Sequence, residues 1–162
     1  WRLVVGAALA GLFKPGWSPR SWEEWARAAG REGYEAEARA EIAQLRAKFP
    51  RAEVTPDAKT QAHVTLPDPD DVHVLAAAIT AGATELLTLN TKDFPTRTLA
   101  THGSIRRHPD EFLLEAFHTG EAFKLVISEV YDLAQADGLD LTLRALLKKS
   151  RLPRLGKAVA GA

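Results

Sequence analysis

The sequence predicts an α/β fold, a parallel sheet flanked by helices with an α-helical extension at the C-terminal end. Three patterns predict it. An apolar helix over Val72–Ala81 is followed almost at once by an apolar strand over Glu85–Leu89, and a helix feeding a strand so closely is a unit of a parallel sheet. Tyr34, Ala38, Ile42, Leu45 and Phe49 recur at spacings of three and four, forming one apolar stripe on an otherwise charged helix. Beyond Pro109 the pattern is helical to the end of the chain.

Element by element, Leu3–Phe13 predicts a buried helix broken by Lys14–Gly16, with a short extended piece around Trp17. Ser18 followed by Pro19 is a helix start, and Ser21 with Glu24 has capping-box spacing; this helix ends near Ala29 or Gly30. The striped helix stops at Pro50. Residues Arg51–Pro67 predict extended pieces at Ala52–Val54 and His63–Leu66, with turn signals at Pro56 and Asp57. Asp68 is placed to cap a helix whose first turn holds Pro69, Asp70 and Asp71, and Gly82 closes that helix. A last strand is expected at Gly103–Arg107, then helices at Pro109–Phe117, Glu121–Ala136 and Leu141–Lys149, and a short piece after Pro153.

At 162 residues and 46% hydrophobic content the chain can bury one sizeable core. Lys plus Arg and Asp plus Glu both number 21, so no overall basic field advertises a polyanionic partner. The absence of cysteine excludes a disulfide framework, a thiolate metal site and a thiol nucleophile, and fits a cytoplasmic setting. The run Leu3–Phe13 is too short to span a bilayer, and no small-residue cleavage site follows it, which argues against a secretory signal. A chain that starts at Trp1 and holds no methionine is expected to continue upstream.

In a parallel α/β sheet, helix N-termini and strand C-termini share one edge, where ligands bind. Asp71 and the loop Asn90–Asp93 therefore converge on one rim, with Asp70 beside them as a further candidate ligand. Clustered carboxylates repel one another unless a hard divalent cation binds them. Such cations prefer carboxylate oxygen and stabilise the attacking and leaving oxygens of phosphodiester hydrolysis.

Asp68–Pro95, together with GLFKPGWSPRSWEEW (Gly11–Trp25) and HPDEFLLEAF (His108–Phe117), resembles the PIN-domain toxins of the VapC family, over about residues 3 to 118. The motifs are moderately specific one by one and quite specific in this order. The resemblance implies a PIN-like nuclease domain over residues 1–118 and a helical extension over 119–162. It also implies a metal-dependent endoribonuclease working through acidic residues around Mg²⁺ or Mn²⁺, restrained by a cognate antitoxin and forming a homodimer. On this resemblance the helix acid falls on Glu24, with Glu23 as its neighbour, and the central aspartate, four residues before the Leu-Ala-Ala-Ala run, falls on Asp71. The last acid departs from the family pattern: Asn90 occupies its usual place, and either Asp93 supplies the carboxylate, the preferred reading, or Asn90 contributes a carbonyl or a water contact. The family's first aspartate belongs to an initial strand with no counterpart here, so that strand is expected to be missing from this chain.

Each site residue also has a plainer role. Asp68 reads as an N-cap, Asp70 as a first-turn acid favoured by the helix dipole, Glu24 as the far end of a capping box, and Asp93 as a turn residue. His73 and His108 read as structural, since hard cations seldom recruit imidazole, and Trp17, Trp22 and Trp25 read as packing. Arg144, Lys148, Lys149, Arg151, Arg154 and Lys157 form a basic tail, of which Lys148, Lys149, Arg151 and Arg154 are candidate RNA contacts; the alternative is a solvated helix face. The expected catalytic group is Glu24, Asp71 and Asp93. The rival expectation is a catalytically silent PIN-like module that binds RNA or a protein, and a third is a phosphatase or DNA nuclease on the same acids.

Overall fold

The structure is a computed structural model and describes residues 1–161. Ten helices and two short strands follow in order among the described residues. The chain divides into two compact units, one of residues 1–14, 87–89 and 107–162, the other of residues 15–86 and 90–106. Among the described residues no helix is long and apolar enough to cross a membrane.

The second of these units carries the candidate site. Ser18 caps α2 (Pro19–Gly30), its hydroxyl accepting the Ser21 N–H, and Pro19 opens the helix. Ser21 therefore does not start a capping box with Glu24, as its spacing predicts; the helix begins one turn earlier. α3 (Glu35–Lys48) packs against α2 and buries Ala38, Ile42 and Leu45, but Tyr34, the first member of the predicted stripe, lies outside the helix and is exposed. The extended pieces around Trp17 and Ala52–Val54 meet in an isolated parallel bridge between Trp17 and Glu53. Here the Trp17 N–H donates to Ala52 O and the Val54 N–H to Trp17 O.

Asp57, predicted as a turn residue, caps the short helix α4 (Ala58–His63) through the Thr60 N–H. This helix, too short and polar for a visible period, lies between the two extended pieces expected there and takes only His63 from the second. A 3₁₀ turn at Pro69–Asp71 leads into α5 (Val72–Thr80). Gly82, at φ +64, ends α5 as expected: its left-handed backbone lets Ala83 N–H reach back to Ala78 O, a conformation that strains any residue with a Cβ. β1 (Glu85–Leu87) and β2 (Ile105–Arg107) form a two-stranded parallel sheet. Between them lies α6 (Thr96–Thr101), which carries no apolar period and was not expected. Val64, Leu66, Leu75, Leu86, Phe94 and Leu99 make the core of this unit.

In the first unit α1 (Arg2–Leu9), α7 (Pro109–Thr119), α8 (Glu121–Ala136), α9 (Leu143–Lys149) and α10 (Pro153–Ala160) share a core built on Leu3, Leu113, Phe123, Ile127, Leu147 and Leu155. α1 and α8 approach closely at Gly6, where a Cβ would fall 2.3 Å from Val126 Cγ1. The buried carboxylate of Asp110, in α7, accepts the N–H groups of Arg154 and Leu155 and so caps the start of α10. His108 caps α7 through Nδ1, the structural role its sequence context predicts.

Candidate metal centre

Asp68, Asp71 and Asp93 each place a carboxylate oxygen within 4.8 Å of the others. Three pieces of local structure bring them there. Asp68 precedes the 3₁₀ turn and accepts the Asp70 N–H at 2.9 Å; Asp71 ends the turn; Asp93 lies in the loop after β1. A 3₁₀ turn has three residues per turn, so positions 68 and 71 share a side while 70 points elsewhere. Asp70 indeed leaves the group, its Oδ1 accepting Arg20 Nη2 at 2.7 Å. Of the acids expected in this segment, Asp68 both caps the turn and joins the cluster, while Asp70, an expected ligand, pairs with Arg20. The interval of three from Asp68 to Asp71 carried that signal, but only for a chain read as 3₁₀ at that point.

The electrostatics follow the geometry. Burial pushes the Asp71 carboxyl above the usual aspartate range, and the charges of Asp68, Asp93 and Glu24 push it further up. Asp70 is held below that range by its hydrogen bond from Arg20. Asp71 Oδ2 accepts Asn90 Nδ2 at 3.0 Å. Asn90, standing where the family usually has its last acid, thus orients Asp71 through its amide, and Asp93 brings the third carboxylate. The loop carrying Asp93 is tied down on both sides: Arg106 Nη1 donates to Thr91 O at 2.7 Å and to Phe94 O at 3.0 Å, and Phe94 is buried in the core. Sequence reading missed Arg106, since nothing in its local pattern separates a loop clamp from a surface charge.

Glu24 stands outside the three-carboxylate group. Its Oε1 accepts Arg20 Nε at 2.8 Å and lies 3.2 Å from His73 Nε2, while Glu23 faces Arg39 of α3 at 3.5 Å. The three tryptophans pack as expected, with ring centroids 4.7 Å apart for Trp17 and Trp22 and 6.2 Å apart for Trp22 and Trp25. In the tail, Lys148, Lys149 and Arg151 are exposed, and Arg154 donates to Glu111 at 2.7 Å.

The donor set consists of carboxylate oxygens, with an amide beside them and no thiolate, and it crowds like charges at the distance a single hard cation spans. It fits Mg²⁺ or Mn²⁺ better than a soft or borderline metal. A family model described as PIN domain matches residues 2–92, more than half of the chain, and the chain belongs to that family of nuclease folds. No curated protein and no solved structure matches it.

Proposed function

We propose that this protein is a metal-dependent endoribonuclease of the VapC type, hydrolysing RNA phosphodiester bonds at the rim formed by Asp68, Asp71 and Asp93. The observation that carries the proposal is the convergence of those three carboxylates within 4.8 Å on a PIN-domain chain. Asp68, Asp71 and Asp93 would hold the ion, with Glu24 at the edge of the group. When bound, Mg²⁺ or Mn²⁺ supplies positive charge that stabilises the attacking and leaving oxygens of the phosphodiester.

The chain's own residues perform the remaining tasks. Asn90 fixes the rotamer of Asp71, Arg106 fixes the Asp93 loop, and Arg20 pairs with Asp70 and with Glu24 at the edge of the group. The resemblance to VapC toxins supports RNA as substrate, a cognate antitoxin as partner, a homodimer as assembly and the cytoplasm as location. Lys148, Lys149 and Arg151 are the proposed contacts to the RNA backbone, with Arg154 once released from Glu111.

Labelled RNA and a matched DNA are incubated with the protein and Mg²⁺ or Mn²⁺, with and without chelator, alongside Asp71→Asn. Cleavage of RNA that needs the cation and is lost in the variant is expected. Cleavage retained by Asp71→Asn overturns the assignment, and salt-sensitive RNA binding without cleavage points instead to a silent binding module.

A further inference from the structure

We infer that Ser18 and His73 form a buried relay that fixes Glu24 beside the acidic group, making His73 a positioning residue for the metal centre. The inference rests on the nuclease reading above. Ser18, ahead of α2, and His73, in α5, are 2% and 4% exposed, and their side chains meet at 2.6 Å between Oγ and Nδ1. Such a buried pair spanning two elements is a fixed strut.

The surroundings of Nε2 set the direction of the relay. Ser18 Oγ accepts the Ser21 backbone N–H at 3.1 Å and has one proton to give, to the Ser21 hydroxyl at 2.9 Å or to His73 Nδ1 at 2.6 Å. Given to His73 Nδ1, that proton leaves the ring hydrogen on Nε2. The opposite tautomer would set the Nε2 lone pair against a carboxylate oxygen 3.2 Å away, which is repulsive. Nε2 is buried and makes no aligned hydrogen bond, so it is a donor held close to Glu24 Oε1 at the cost of an imperfect contact.

The same Oε1 accepts Arg20 Nε at 2.8 Å. Arg20 thus holds one oxygen of Glu24 by a hydrogen bond, His73 Nε2 lies against the same oxygen without one, and Oε2 takes no protein donor among the described residues. Arg20 also bridges from Glu24 Oε1 to Asp70 Oδ1, at 2.8 and 2.7 Å, which puts Glu24 beside the turn that carries Asp71. Partners that orient a ligand commonly change metal affinity about 10- to 100-fold when removed.

Mn²⁺ binding is measured by calorimetry on the wild type, Glu24→Gln, His73→Asn, His73→Gln and the double variant His73→Asn with Glu24→Gln. Glutamine can place its amide donor near the Nε2 position, whereas asparagine places it near Nδ1 and falls short of Glu24. The expected result is an affinity loss of about tenfold or more for His73→Asn, retention of most of the affinity in His73→Gln, and no further loss from His73→Asn once Glu24 is Gln. Equal affinity in both histidine variants, or additive losses in the double variant, overturns the relay while leaving the metal site standing. A wild type that binds no Mn²⁺ overturns the nuclease reading and the relay together. Nitrogen-15 spectra of the wild-type imidazole give a readout that needs no variant to fold: an Nε2–H tautomer is expected, and an Nδ1–H tautomer overturns the relay.

Discussion

Replacing Asp71 with asparagine tests stability and function in opposite directions. Two unit charges 4.8 Å apart repel by about 0.9 kcal/mol in a water-like surrounding and about 3.5 kcal/mol at the effective dielectric near a protein surface. Asp71 is half-buried and the cluster is open to solvent, so the lower figure is closer, and two neighbours, Asp68 and Asp93, give about 2 kcal/mol in all. Asparagine is isosteric and keeps an oxygen for Asn90 Nδ2. The metal-free variant should therefore melt about 4–8 °C above the wild type, at about 2–4 °C per kcal/mol for a chain of this size. With Mn²⁺ at about 100 times its dissociation constant the wild type gains about 2.7 kcal/mol, or about 5–11 °C, and the variant gains little. Melting curves with and without Mn²⁺, followed by circular dichroism, read both effects. A metal-free variant that melts at or below the wild type refutes the crowding argument, and one that keeps the full Mn²⁺ response refutes ligation by Asp71.

The same carboxyl sets a pH dependence. Its folded-state pKa is raised, so its ionisation works against the fold; the penalty is absent below the ordinary aspartate range and complete above the raised value. The melting-temperature gap between Asp71→Asn and the metal-free wild type should thus open as pH rises through and above the ordinary aspartate range, and a gap that is constant or closes contradicts the shift. Asp110→Ala removes the acceptor for two backbone N–H groups, one of them on fully buried Leu155. A capping loss of about 1 kcal/mol plus an orphaned donor of about 1–3 kcal/mol predicts destabilisation of about 2–4 kcal/mol by urea unfolding, with Asp110→Asn losing less. Gly6→Ala should destabilise by about 1–3 kcal/mol despite alanine's better helix propensity, because its Cβ meets Val126, and adding Val126→Ala should recover most of the loss in the same assay. Arg106→Gln frees the loop around Asp93 and should weaken Mn²⁺ affinity about tenfold or more in calorimetry; unchanged affinity would show that Phe94 alone holds the loop.

Much of the fold was legible because its signals are local. Ser18 with Pro19, His108 with Pro109 and Gly82 mark helix ends through chemistry that acts within a few residues, and each does so in the structure. The apolar run after Asp71 and the strand after Gly82 placed Asp71 and the Asp93 loop on one rim, and both belong to the cluster. The helices α4 and α6 are not legible because six residues are too few to display a period; α4 starts at the Asp57 cap, and α6 follows Pro95 with no side-chain cap.

What the sequence by itself determined is the class of site: clustered aspartates, no thiol, and an order of motifs that belongs to the PIN family. What only tertiary structure decided is which acids gather in one cluster and which pair with something else. Asp68 and Asp70 are both acids of one short segment, yet a 3₁₀ turn sends Asp68 to the cluster and Asp70 to Arg20. Glu24 accepts a hydrogen bond from Arg20 and lies 3.2 Å from His73, an imidazole whose own partner, Ser18, is 55 positions away in the chain. Pairings of that kind depend on distances across the fold, which composition and spacing do not encode, because the free energy of a charge depends on its neighbours in space rather than on its neighbours in sequence.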